Sequence, residues 1–259
     1  MTTALVTGAT SGIGYEFARQ LAERGHDIVL VARDRSRLEN VSDELRRDYK
    51  VRSEVLVADL SDRAQIEKVA QRLGDDVRPV DLLVNNAGYG QKKGFLANDV
   101  EVEEAMLDVL CTAVLVLSHA AGRAMRTRGR GGIINVSSVA SYAAMGTYSA
   151  AKGWVRLFSE GLSRELAGSG VTCMALCPGF THTEFHERGR MNMAKLPEFM
   201  WLDAPKVVHQ GLDDAAKGKI VSVPGPQYKA LVGVMSAVPR LLVRDVSGAI
   251  ARRRRTQGS

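Results

Sequence analysis

Short apolar runs alternate with longer amphipathic stretches along most of the chain, and the spacing of apolar positions changes from run to run. Ala4 to Thr7, Asp27 to Ala32, Glu54 to Ala58, Asp81 to Asn85, Ile133 to Ser137, Thr172 to Cys177 and Ile220 to Val223 read as strands. Between them the period lengthens to three and four residues. Phe17, Ala18 and Leu21 mark one side of a first helix that Gly25 stops, Leu38, Val41 and Leu45 a second, and Ile66, Val69 and Leu73 a third. Two longer helices are expected over about Val102 to Arg128 and Thr147 to Ser169. Strand and helix in alternation predict an α/β fold, a parallel sheet covered by helices on both faces.

The junction between the first strand and the first helix is unusual. Thr7-Gly8-Ala9-Thr10-Ser11-Gly12-Ile13-Gly14 carries three glycines between Ala4-Leu5-Val6 and the helix opening at Tyr15. Glycine removes the Cβ where a backbone must turn sharply and lie against a ligand. The new helix points unpaired N–H groups and its positive dipole end at whatever sits above the turn. A phosphate or pyrophosphate suits that position, and a turn that merely packs helix on strand is the plainer alternative.

Composition narrows the picture. A chain of 259 residues that is 45% hydrophobic and 25% charged can bury a full core, and residues 1–259 are read as one domain. The sequence opens directly on a strand, and no uninterrupted apolar run approaches the ~20 residues of a membrane span, so a cytoplasmic location is expected. Cys111, Cys173 and Cys177 lack metal-ligand spacing. In an extended run the Cα atoms of Cys173 and Cys177 lie roughly 13 Å apart, too far for a disulfide, which predicts buried, reduced thiols. Net charge is +6, but Arg252 to Arg255 supply four of those units. With no helix-turn-helix or zinc pattern and no basic groove interleaved with aromatics, nucleic-acid binding is not expected.

Further motifs follow the glycine loop in order: Asp59-Leu60, Asn85-Asn86-Ala87-Gly88, Ser138 ahead of Tyr148-x-x-x-Lys152, and Pro178-Gly179. With Thr-Gly-x-x-x-Gly-x-Gly at the start, this set resembles the short-chain dehydrogenase/reductase family over roughly residues 3 to 224. The resemblance implies a Rossmann-type doubly wound domain with strand order 3-2-1-4-5-6-7 and ligands at the carboxyl ends of the strands. It also implies hydride transfer between a nicotinamide coenzyme and a carbonyl or secondary alcohol, with no metal, in a homodimer or homotetramer.

Carried onto this chain, the resemblance makes Gly8, Thr10, Ser11, Gly12, Ile13 and Gly14 the coenzyme loop and Asp59 and Leu60 the adenine contact. Asn86, Ala87 and Gly88 would lie by the ribose, and Pro178, Gly179, Thr181 and Thr183 beside the nicotinamide. The second strand ends at Ala32 and is followed by Arg33, whose planar guanidinium can clamp a 2′-phosphate, which favours NADP(H). Asp34 would argue for NAD, but it also reads as the N-cap of the next helix. Tyr148 and Lys152 project one turn apart from one helix face. Tyr148 is the expected acid-base group, made more acidic by the nearby ammonium, with Lys152 also holding ribose hydroxyls. Ser138 would polarise the substrate carbonyl, with Ser137 the competing candidate. It lies ten positions before Tyr148, a shorter spacing than the family's usual one.

Several features stand apart from that pattern. Leu110 occupies the place where the family carries an asparagine at a break in a helix, leaving a backbone carbonyl free to hold a water near the lysine. Either the break persists with leucine, or the proton relay is lost. Phe180 to Leu202 is long and methionine-rich, and Phe185, Met191, Met193, Leu196, Phe199, Met200 and Trp201 would make it an apolar lid. An apolar, acyl-chain or steroid-like substrate is therefore expected, and a coenzyme-binding sensor with little turnover is the rival reading. His182 and His186 are read as lid residues rather than metal ligands. In the extension over residues 226–259, Leu242, Val246, Ala249 and Ile250 repeat at helical spacing among arginines. They read either as a helix packed on the protein or as a weak contact with anionic membrane.

Overall fold

The computed structural model describes residues 2–91, 93–183 and 197–237. Its strands are β1 (Thr3–Thr7), β2 (Asp27–Ala32), β3 (Ser53–Val57), β4 (Leu82–Asn85), β5 (Gly131–Val136), β6 (Val171–Leu176), β7 (Thr181–His182), β8 (Leu202–Asp203) and β9 (Val221–Ser222). Seven of them form one sheet in the order β3-β2-β1-β4-β5-β6-β9 with every pair parallel. This is the expected doubly wound order, with its seventh position taken by β9. The order reverses between β1 and β4. There β1 stays paired with β2 as far as Thr7↔Val31 but with β4 only to Val6↔Val84. The two strands part beyond that point, and their carboxyl ends open a crevice.

The helices are α1 (Gly12–Glu23), α2 (Arg35–Tyr49), α3 (Arg63–Leu73), α4 (Val100–Leu107), α5 (Ala113–Arg128), α6 (Thr147–Glu165), α7 (Ala204–Ala216) and α8 (Pro226–Ala237). One core forms where α1, α2 and α7 lay Phe17, Leu21, Leu38, Leu45 and Val207 on the sheet. On the opposite face α3 and α5 contribute Ile66, Leu73, Leu117 and Met125 to a second core. Two asparagines buried at the centre of the sheet are paired: Asn85 Nδ2 donates to Asn135 Oδ1 at 2.9 Å and to Ser118 Oγ at 3.1 Å, and Asn135 Nδ2 donates to Ser159 Oγ at 2.9 Å. An unpaired amide there would cost about 1–3 kcal/mol.

The structure adds elements that the apolar pattern does not announce. β7 and β8 form a separate parallel pair, and helices α7 and α8 flank β9. The long helix over Val100–Arg128 is not continuous α: Asp108–Thr112, with Leu110 at its centre, forms a π-helical turn between α4 and α5. By length and composition this helix could cross a membrane, yet Val109, Ala113, Leu117, Ala121 and Met125 are buried in the second core. Cys173 and Cys177 are buried and Cys111 is half-buried, and all three are free thiols. The residues of the basic tail, from Arg240 onward, lie outside the described residues, as do Phe185, His186, Met191, Met193 and Leu196.

Candidate active site

The glycine loop lies at the crevice, and each glycine is there for a different reason. Gly8 and Gly12 have φ of +65° and +56°, conformations that side chains strain to adopt. A Cβ on Gly12 would also come within 2.9 Å of Thr183 Cβ, so Thr183 packs directly against the loop. Gly14 is set back from the cavity lining. A Cβ there would overlap the Gly8 carbonyl and the Asn86 amide, so its glycine permits close packing of α1.

Asn86 lines the cavity and also holds the loop in place. Its Nδ2 donates to Thr7 O at 2.9 Å, while the N–H groups of Asn86 and Ala87 both donate to Thr7 Oγ1, at 2.9 and 3.0 Å. Thr7 thereby rejoins β1 and β4 where their ladder ends. Ser11 occupies the N-cap of α1 without a side-chain cap bond, so it offers α1's first N–H groups no acceptor and an anion can serve.

At one end of the crevice Arg33 is largely exposed, its side chain 73% accessible, with Nη1 3.7 Å from Asp59 Oδ2. Asp34 is the N-cap of α2: its Oδ1 accepts from Arg37 N at 3.1 Å and from Ser36 Oγ at 2.8 Å, so its carboxylate is engaged locally. Burial raises the Asp59 carboxyl, but hydrogen bonds from Ser61 and the charge of Arg33 outweigh it and hold the group below its ordinary range. Arg37 also lines the cavity here, together with Leu60 and Ser61. It lies in the first turn of α2, four residues after Arg33, which itself precedes the helix.

The other end is polar and dry. Lys152 is buried, its Nζ donates to Val136 O at 2.7 Å, and it lies 5.9 Å from the centroid of the Tyr148 ring. Burial lowers the ammonium to about 8, opposed by the thiols of Cys111 and Cys177. Burial raises the Tyr148 hydroxyl to about 12, with a hydrogen bond to Ser138 pulling the other way. Desolvation dominates at Tyr148, and the contact that opposes it is Ser138 rather than the expected Lys152.

Ser138 and Ser137 part company in this geometry. Ser137 is buried and its Oγ donates to Lys152 O at 2.7 Å, fixing α6 to β5. The Ser138 hydroxyl lies beside Tyr148, accepts from Ala140 N at 3.1 Å and donates to Pro178 O at 3.5 Å.

Leu110 packs into the same corner. Its Cδ2 would lie 2.8 Å from a Cβ on Gly88, and Leu110 clusters with Met106, Ala151 and Tyr148. The helix break expected at this position is thus present without the asparagine. A π turn frees backbone carbonyls from the regular i→i+4 pattern whatever side chain it carries.

Between the two ends lies a cavity of about 1280 Å³. All the other proposed coenzyme residues line it: Gly8, Thr10, Ser11, Gly12, Ile13, Arg33, Asp59, Leu60, Asn86, Ala87, Gly88, Tyr148, Lys152, Pro178, Gly179, Thr181 and Thr183. Phe180 and Met200, from the run expected to form a lid, also line it, together with Met145, Tyr228, Leu231, Val234 and Met235, which no motif reveals. Beside these residues His182 stacks on Trp201 at 4.5 Å and pairs with Glu198 at 3.3 Å. Among the described residues no group of His, Cys, Asp or Glu is placed to hold a metal ion.

A glycine loop at the strand-order switch, with a serine, a tyrosine and a lysine converging at the other end of the crevice, defines a dinucleotide-dependent oxidoreductase architecture. The sequence profile of the short chain dehydrogenases matches residues 2–193, and the chain belongs to that family. A galactitol 2-dehydrogenase (L-tagatose-forming) from Cereibacter sphaeroides is 31% identical over 91% of this chain and 92% of its own length. A short-chain dehydrogenase from Sphingobium yanoikuyae, solved in complex with NADPH, is 35% identical with a TM-score of 0.83, covering 92% of this chain and 97% of that one. A bulky-bulky ketone specific alcohol dehydrogenase from Comamonas testosteroni is 32% identical with a TM-score of 0.78, covering 92% and 95%.

Proposed function

We propose that this protein is an NADP(H)-dependent reductase of a carbonyl group on an apolar substrate. The observation that carries the reading is the convergence of Ser138, Tyr148 and Lys152 at one end of a crevice whose other end holds Arg33. The residues fit the coenzyme: Gly8 and Gly12 hold the loop in a turn that side chains strain to adopt, α1 has N–H groups that the Ser11 side chain leaves uncapped, and Arg33 offers a cation for a 2′-phosphate. When bound, the coenzyme supplies or accepts the hydride.

The chain's own residues handle the proton. Ser138 donates a hydrogen bond to the substrate carbonyl and polarises it. Tyr148, protonated at neutral pH as any phenol is and pushed further that way by burial, gives its proton to the carbonyl oxygen as negative charge develops there. A tyrosine that starts protonated suits reduction. Lys152 stands near the Tyr148 ring, where its charge stabilises the phenolate left behind.

The apolar wall of Met145, Met200, Leu231, Val234 and Met235 supports a bulky hydrophobic substrate. The Comamonas enzyme's bulky ketones agree with that, whereas the Cereibacter relative acts on a sugar alcohol. Leu115 on α5 and Leu157 on α6, both well exposed, support self-association.

The test is oxidation of NADPH and of NADH by purified protein with aliphatic ketones, aromatic ketones and long-chain 3-oxoacyl thioesters. Turnover with NADPH and the apolar carbonyls is expected. Coenzyme binding without turnover on any of them would make the protein a sensor instead.

A further inference from the structure

We infer that Tyr228 is a positioning residue that locks the Pro178–Phe180 segment to Met200 and to α8, and so places both the nicotinamide side of the crevice and the apolar substrate wall. The inference rests on the NADP(H) reductase reading. Tyr228 is the one buried residue of α8, at 0% exposure, while Leu231 and Val234 of that helix remain exposed. Tyr228 is therefore the deepest anchor of α8, with Gln227 Nε2 adding a bond to Phe199 O at 3.2 Å.

Its ring fills the space beside Gly179. A Cβ on that glycine would overlap Cε2, Cζ and Cδ2 of Tyr228, so the glycine of the Pro178-Gly179 motif is required here to admit the ring. The hydroxyl is used twice, accepting from Phe180 N at 3.1 Å and donating to Met200 O at 2.6 Å. Those two backbone groups lie far apart in sequence, and the phenol joins them directly. The connection continues inward, because Pro178 O accepts from Val139 N at 3.0 Å and from Ser138 Oγ at 3.5 Å. Tyr228 thus reaches the reacting end through the loop that carries Ser138, without facing the reacting atoms itself.

Tyr228→Phe keeps the ring and removes only the hydroxyl. Without ligand, amide hydrogen exchange in peptides covering 178–183 and 199–203 should accelerate by about tenfold, with the sheet strands unchanged. The dissociation constant for NADPH and the KM for an apolar ketone should each rise by about three- to tenfold, while that for 2′-phospho-AMP, which probes only the Arg33 end, and kcat stay within about twofold. Gly179→Ala, which crowds the ring directly, should show the same or a larger effect.

Unchanged exchange in Tyr228→Phe, a Gly179→Ala variant that behaves as wild type, or equal weakening of NADPH and 2′-phospho-AMP would each overturn the inference. If wild-type protein binds no NADPH, the reductase reading fails, and the exchange measurement still decides whether the lock exists.

Discussion

The two ends of the crevice are built on opposite principles. At the Arg33 end the recognising charge stands in solvent, its side chain 73% accessible, and it is balanced by a single long contact to Asp59. At the Tyr148 end Lys152 is 5% exposed, and burial lowers the lysine to about 8 and raises the tyrosine to about 12. Water screens the first set of interactions and is kept from the second. Recognition at the exposed end should be modest and salt-dependent, whereas the buried end should hold large energies that chemistry can draw on.

The largest expected effect is at the buried end. Tyr148→Phe should lower kcat by about 10²–10⁴-fold, the usual worth of a positioned general acid, while NADPH still binds. Near-native turnover would remove Tyr148 from the chemistry.

Lys152→Met should raise stability while abolishing activity. Lys152 titrates at about 8 when folded, against 10.5 when free. Between those values the unfolded chain binds more protons, so the wild type gains stability as pH rises, and below about 8 it carries the whole cost of a buried ammonium. The variant should therefore be more stable at pH 7 by up to about 3 kcal/mol, the advantage shrinking from pH 8 toward 10.5. Urea unfolding at pH 7 and pH 9.5 would check both sign and trend, and a pH-independent difference would contradict it.

Arg33→Ala is smaller. It should weaken NADPH by about tenfold, or ~1.5 kcal/mol, and leave NADH nearly unchanged, with the difference fading in high salt. Equal loss for both coenzymes would detach Arg33 from the 2′-phosphate. The smallest effect belongs to Leu110→Asn, which should change turnover by less than about tenfold because the π turn exists without asparagine.

The sheet and the coenzyme half were legible because their signals are local. The run Asp27 to Ala32 has the bounds of β2, and the glycine loop announces its turn within eight residues. Asp34 could be read as a cap from its place before a helix. The substrate half was hidden because its contacts are distant in sequence. Tyr228 meets its partners 48 and 28 residues away, and nothing near Gly179 says that a ring will fill its empty side. Asn86 shows the same limit: its motif marked the crevice, but its amide is engaged by Thr7, 79 residues earlier. Desolvation was missed at Tyr148, since the spacing of a tyrosine and a lysine says nothing of how deeply the pair is buried.

The exposure of Arg33 has a consequence for divergence among descendants of this gene. The guanidinium carries little of the fold, and the Asp34 cap beside it holds α2 through bonds that do not involve the Arg33 side chain. A single codon change at position 33 could therefore drift, revert or be selected with almost no folding penalty. Coenzyme preference should vary freely between close lineages, while position 179 cannot gain a side chain as long as a ring stands at 228.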